Sequence, residues 1–375
     1  MNELGFIPVA APMLEGNEKT YVLDCLDSTW ISSSGKYLDR FEAAFAEFCG
    51  VSEAIACSNG TTALHLALLG LDLGPGDEVI VPTLTFVATA NAVTYCGARP
   101  VFVDVDPETW TIDPAAVEAK ITPRTKGIIV VHLFGHPADM DPIGAIARRH
   151  GLFVLEDAAQ AHGAEYRGRR TGSLSELATF SFFGNKIVTT GEGGMVTTSD
   201  RGLATRMRML RTHGMDPNRR YWHPVIGYNY RMTNVAAAIG LAQLERVQWQ
   251  LDRRQELAAW YREELAHTGV LTLHAERDWG RHVWWMFSVL VGEAAGDRDT
   301  IMATLRSRGI ETRPFVHPLH TLPPYREAMP HESFPVAENV ARTGINLPTW
   351  AGLTRGHVRR ICDQLLECLT VARTA

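Results

Sequence analysis

The chain has 375 residues, 46% of them apolar and 21% charged, with a net charge of −6. That length suits one large domain joined to a smaller one, with a sizeable core, and the slightly acidic balance leaves no basic footprint for nucleic acid. No run approaches the roughly twenty apolar residues of a membrane span, and the opening MNELGFIPVAAPMLEGNEKT lacks a basic region ahead of an apolar one, so a cytoplasmic setting is expected.

In chain order, short Val/Ile/Phe-rich runs alternate with helical patterns. The runs are AIAC from Ala54, EVIVP from Glu78, RPVFVDV from Arg99, GIIVVHL from Gly127, LFVLED from Leu152, ATFSF from Ala178 and GGMVTT from Gly193. Between the first five lie segments such as TTALHLALLGL and MDPIGAIARRH, whose apolar residues recur at helical spacing. This alternation predicts an α/β fold with a mostly parallel, seven-stranded sheet covered on both faces. From Thr233 to Leu265 the pattern reads as one or two long helices, and beyond it the chain changes character. The expected division is a large domain over 1–250, N-terminal segment included, and a smaller α/β domain over 251–375. Six cysteines (Cys25, Cys49, Cys57, Cys96, Cys362 and Cys368) show neither CxxC nor zinc spacing, which suits reduced, buried thiols.

Ligands of open α/β sheets sit beyond the carboxyl ends of the strands, and three such junctions carry chemistry. After AIAC, the turn Ser58-Asn59-Gly60-Thr61-Thr62 enters a helix. It is either an ordinary N-cap or a phosphate cradle of free backbone N–H groups and hydroxyls. LFVLED ends in Glu156-Asp157, followed by Gln160 and His162. A buried carboxylate there needs a cation, either an arginine or a protonated pyridine nitrogen. ATFSF places Ser181 shortly before Lys186 and a Thr/Gly turn. The chain has 36 basic residues but only five lysines, Lys19, Lys36, Lys120, Lys126 and Lys186, and only lysine forms a Schiff base at ordinary pH. A turn lysine alone is usually a solvated charge. Together, a phosphate cradle, a carboxylate and an amine are what pyridoxal 5'-phosphate (PLP) requires.

Over nearly its whole length the chain resembles the fold-type I, PLP-dependent sugar aminotransferases of the DegT/DnrJ/EryC1/StrS family. WISSSGKYLDRFE, SNGTTALHLAL, PTLTFVATANAV, VHLFGHPADMDPI, EDAAQAHGAEY, SFFGNKIVTTGEGGMV, GYNYRMTNVAAAIGLAQLE and ETRPFVHPLH stand in the family's order. The resemblance implies Lys186 as the Schiff-base lysine, Asp157 at the pyridine nitrogen, Gln160 at the 3-hydroxyl and Phe86 stacked on the ring. It implies Gly60, Thr61 and Ser181 around the phosphate, joined by Asn229, or less favourably Arg231, from a neighbouring subunit of a homodimer with shared active sites. Trp30, Ser32 and Ser33 of an early loop, with Arg313, His317 and His320 of TRPFVHPLH, are implied on the sugar side.

Within the family, the run from His213 to Asn234 and SFFGNK are most similar to members that aminate C4 of GDP-4-keto-6-deoxymannose with L-glutamate as donor. Other nucleotide-linked keto sugars (UDP or dTDP, C3 or C4) and keto-cyclitols remain alternatives. Dehydratases that use pyridoxamine phosphate resemble the chain less, because they place histidine where it has Lys186. The family uses no metal at His132, His136 or His162, and no HExxH occurs, so no metal site is expected.

Overall fold

The structure, a computed structural model, describes residues 5–327 and 332–374, with side chains described to residue 369. The seven apolar runs become the strands β1 (Glu53–Cys57), β2 (Glu78–Pro82), β3 (Arg99–Val103), β4 (Thr125–Val131), β5 (Phe153–Asp157), β6 (Leu177–Ser181) and β7 (Gly194–Thr198). They form one sheet in the order β1-β7-β6-β5-β4-β2-β3. Only β7 is antiparallel to its neighbours; the remaining pairs are parallel. Parallel strands covered on both faces favour continuous Val/Ile runs over alternation, and every residue of β2 is buried.

The register brings three strand ends to one rim. Cys57 of β1 and Ser181 of β6 both pair with Gly194 of β7. Asp157, the last residue of β5, pairs with Thr179 of β6. Whatever follows β1, β5 and β6 therefore faces the same space. The helices Lys36–Cys49 (α1) and Gly60–Gly70 (α2) pack on this sheet; α1 buries Tyr37, Phe41, Phe45 and Cys49, a spacing that puts them on one face.

The segment after Thr233 forms two helices, α3 (Asn234–Glu245) and α4 (Val247–Leu265). On α4, Leu251 belongs to the main core while Leu257, Tyr261 and Leu265 belong to a second. The passage from large to small lobe thus runs inside a helix rather than through a linker. Around the second core stand four antiparallel strands, β8 (Leu271–Leu273), β9 (Phe287–Val291), β10 (Arg313–Pro314) and β11 (Gly344–Leu347), ordered β8-β9-β11-β10. Near the chain start, Ile7 bridges Ile310 in parallel and is buried in this second core, although the sequence assigned that segment to the larger domain. Its backbone supplies the reason: Ile7 donates to Gly309 O and accepts from Glu311, extending the small lobe's edge. All six cysteines are buried and unpaired. Among the described residues no helix is long and apolar enough to cross a membrane.

Candidate active site

Between the sheet's rim and the small lobe lies a cavity of about 610 Å³. Its first wall is the start of α2. Asn59 caps that helix, accepting from the Thr62 N–H at 2.9 Å, while Thr62 Oγ1 accepts from the Asn59 N–H at 3.2 Å. With the cap made locally, the N–H groups of Gly60 and Thr61 open the helix towards the cavity they line. Gly60 is required by packing: a Cβ there would lie 2.7 Å from Ser181 Cβ. The helix start and the end of β6 consequently touch, and Ser181 joins the same wall.

Opposite stands Asp157, 5% exposed. Burial pushes its carboxyl above the usual range, while hydrogen bonds from Thr89 Oγ1 (2.7 Å) and the Ala159 N–H (3.2 Å) and the nearby Lys186 charge pull the other way. No arginine pairs with it among the described residues, so the bland alternative left open by the sequence is not realised. Gln160 accepts the Phe134 N–H on Oε1 at 2.8 Å, which leaves its amide NH2 free to donate. Phe134 itself stands at φ +54, a conformation uncommon outside glycine.

Lys186 sits on a turn closed by its own N–H to Phe183 O (2.9 Å) and by the Thr190 N–H to Phe182 O (2.9 Å). Thr189 Oγ1 also donates to Phe182 O, at 3.0 Å, so the threonines after the lysine act on the turn itself. Desolvation pushes the Lys186 ammonium down to about 7, partly opposed by Asp157. Nζ lies 3.8 Å from the centroid of the Trp285 ring. Phe86 is 57% exposed and lines the cavity, offering a free aromatic face.

The cavity of this chain thus holds Gly60, Thr61, Phe86, Asp157, Gln160, Ser181 and Lys186, with Arg313 reaching in from β10. The other residues singled out in the sequence stand apart from it. Trp30 and Ser32 lie exposed on the loop before α1, their carbonyls bonded to Asn234 Nδ2 (2.7 Å) and Asn234 N (2.6 Å). Asn229 is exposed, its Oδ1 accepting from Arg231 Nε at 3.0 Å, and His317 is exposed as well. His320 is buried, with Nδ1 2.8 Å from Thr83 Oγ1 and Nε2 3.2 Å from Glu338. His132 is bonded to Glu156 at 3.1 Å, and His136 to Pro137 O. Sequence reasoning passed over Thr89, which lay unremarked within PTLTFVATANAV, and Trp285, hidden in an apolar run that reads simply as strand.

The residues fit PLP. A helix N-terminus with a serine beside it can take a phosphate, an unpaired buried carboxylate can face a protonated ring nitrogen, and an amine of lowered pKa shares the cavity.

Comparison with known proteins agrees with this chemistry. The model of the DegT/DnrJ/EryC1/StrS aminotransferase family, whose members are PLP-dependent, matches residues 12–366. GDP-perosamine synthase of Caulobacter vibrioides is 56% identical over 372 residues, covering 98% of this chain and 100% of that protein. GDP-perosamine synthase of Escherichia coli O157:H7 is 48% identical, covering 96% and 98%. Among solved structures, DesV of S. venezuelae in complex with ketimine intermediate superposes with a TM-score of 0.89 at 41% identity, covering 94% of each chain.

Proposed function

The chain belongs to the DegT/DnrJ/EryC1/StrS aminotransferase family, and on that premise we propose that it moves an amino group from L-glutamate to C4 of GDP-4-keto-6-deoxymannose, forming GDP-perosamine with PLP as cofactor. The observation that carries this reading is the meeting of the Lys186 amine, the Asp157 carboxylate and the α2 N-terminus in one cavity. The choice of sugar rests on the 56% identity, end to end, with a GDP-perosamine synthase.

Bound there, PLP supplies the electron sink that lets an amino group pass between carbon skeletons. The Gly60 and Thr61 N–H groups and the Ser181 hydroxyl hold the phosphate. Asp157, whose buried carboxylate has no arginine partner among the described residues, would keep a proton on the pyridine nitrogen. Gln160 donates its free amide hydrogens towards the 3-hydroxyl, and Phe86 covers one ring face. Lys186 would hold the cofactor through its amine and, when that amine is free, would serve as the base that takes and returns a proton. An amine near pKa 7 is substantially neutral at physiological pH, as a general base must be.

Arg313 is the substrate residue that this chain brings to its own cavity. Asn229, exposed and outside it, is assigned to the cavity of a second copy in a homodimer. Leu23, Leu26, Trp30 and Ile31, each more than half exposed, fit such a contact. Trp30, Ser32 and His317 are placed towards the sugar within that dimer. His320, bonded through both ring nitrogens, is assigned instead to the turn it sits on.

The test is mass analysis of the nucleotide after incubating the purified protein with PLP, L-glutamate and GDP-4-keto-6-deoxymannose. Replacement of the keto oxygen by an amino group is expected. An unchanged GDP-sugar beside amination of a UDP- or dTDP-linked keto sugar would overturn the assigned substrate, and no reaction with glutamate would overturn the aminotransferase reading.

A further inference from the structure

The face of Trp285 is the nearest partner of the Lys186 amine, with Nζ 3.8 Å from the ring centroid. Among the described residues Nζ makes no hydrogen bond or ion pair, so the ring is what meets it. Nothing in the reaction as assigned above uses Trp285.

The indole is fixed from several sides. Its Nε1–H donates to Asn185 O at 2.8 Å, tying it to the turn that carries the lysine. Nη1 of the buried Arg254 donates to Trp285 O (3.0 Å), Trp284 O (3.1 Å) and Thr349 O (3.0 Å), pinning the main chain behind it. Gly135, at φ +106, lets this segment pack closely: a Cβ there would lie 3.0 Å from Trp285 N. A large ring that is 8% exposed and held in this way presents its face to one amine.

We propose that Trp285 is a positioning residue for the transamination chemistry, holding the Lys186 amine over its ring face whenever that amine is free and favouring its charged form. The inference rests on the assignment of Lys186 made above. The negative face of an aromatic ring attracts a cation, most strongly where water is excluded. It therefore opposes the desolvation that lowers the pKa of this amine. Of the charged and titratable groups nearby, Asp157 from β5 favours the cation, Glu192 on the following turn and Arg313 from β10 line the same cavity, and His162, buried among Phe45, Phe180 and Phe182, is pushed down by desolvation and by the Lys186 charge. Trp285 stands just ahead of β9 yet is buried in the main core, and it is the member of this set that also bonds the lysine's own turn, so the seating of the ring and the lysine's position are linked.

The test reads the amine directly in cofactor-free protein. Peptide-resolved acetic anhydride labelling across a pH series gives the pKa of Lys186 in the wild-type chain, in Trp285→Leu and in Trp285→Phe. Trp285→Leu is expected to lower that pKa by about 0.5–1.5 units, with Trp285→Phe restoring most of the difference. An unchanged or raised value in Trp285→Leu would overturn the proposal. Should that variant fail to fold, wild-type chain grown with fluorinated tryptophan weakens the ring face without removing it: a lowered pKa supports the proposal and an unchanged one overturns it. PLP uptake by the wild-type chain is measured separately, so a protein that takes up PLP but shows no such shift loses this inference alone.

Discussion

Thr89 Oγ1 donates to Asp157 Oδ2 at 2.7 Å, and this hydroxyl is the side-chain donor that steadies the carboxylate facing the candidate cofactor. Asp157 is buried and burial pushes its carboxyl upward, so the hydrogen bond counts heavily in keeping it charged. Thr89→Val should lower PLP affinity about ten- to a hundredfold, as loss of a hydrogen bond to a buried charged group does. Titration of cofactor-free protein with PLP, followed by absorbance, checks this; equal affinity would show that Thr89 does not act on the site. Asp157→Ala should abolish turnover.

Gly60 and Ser181 define the second prediction. A Cβ at position 60 would sit 2.7 Å from Ser181 Cβ, so Gly60→Ala must push β6 away from α2. The cost should be about 1–3 kcal/mol of stability, as for other overpacked sites. PLP affinity should fall with it, because both residues belong to the phosphate wall. Urea unfolding and PLP titration of the same variant measure the two effects.

Lys186 makes the cofactor-free protein depend on pH in a defined direction. Its folded pKa of about 7 lies below that of an ordinary lysine. Between these values the unfolded chain holds the extra proton, so this group makes stability rise with pH across that window; below pH 7 its penalty is fully present. Lys186→Met should therefore be more stable than wild type at pH 6, with the advantage shrinking as pH rises above 7. Paired urea midpoints at pH 6 and pH 9 test the sign, and a growing advantage would contradict it. Transamination should be lost in this variant at every pH.

Away from the site, Glu78 illustrates the opposite sign. It is 1% exposed, and burial alone would push its carboxyl up. Hydrogen bonds from Thr122, Arg99 and Arg124 outweigh that and hold it at about 2. The stability it contributes is present above the unfolded carboxyl pKa and is lost as pH falls towards 2. Glu78→Gln should cost about 1–3 kcal/mol at pH 7 and less at pH 3, measured as the difference in urea midpoints.

Much of this was legible in the residues. The seven strands were readable because parallel strands buried on both faces leave unbroken apolar runs, and the strand-end rule then directed attention to Gly60, Asp157 and Lys186. What escaped notice depends on contacts distant in sequence. Trp285 reaches the Lys186 turn from a hundred residues along the chain, a separation no local pattern encodes. Ile7 joins the small lobe through a two-way backbone bridge to residues 309–311, and backbone pairing leaves no side-chain signature. His320 stood in a segment similar to the family's substrate loop, yet whether an imidazole faces a cavity or bonds Thr83 is decided by three-dimensional packing.

Chemical trapping shows directly whether Lys186 is the residue that holds PLP. The protein is loaded with PLP, reduced with borohydride and digested, and its peptides are weighed. A reduced pyridoxyl group is expected on the peptide carrying Lys186 and on no other lysine peptide. A label on Lys19, Lys36, Lys120 or Lys126 instead, or none after PLP loading, would contradict it.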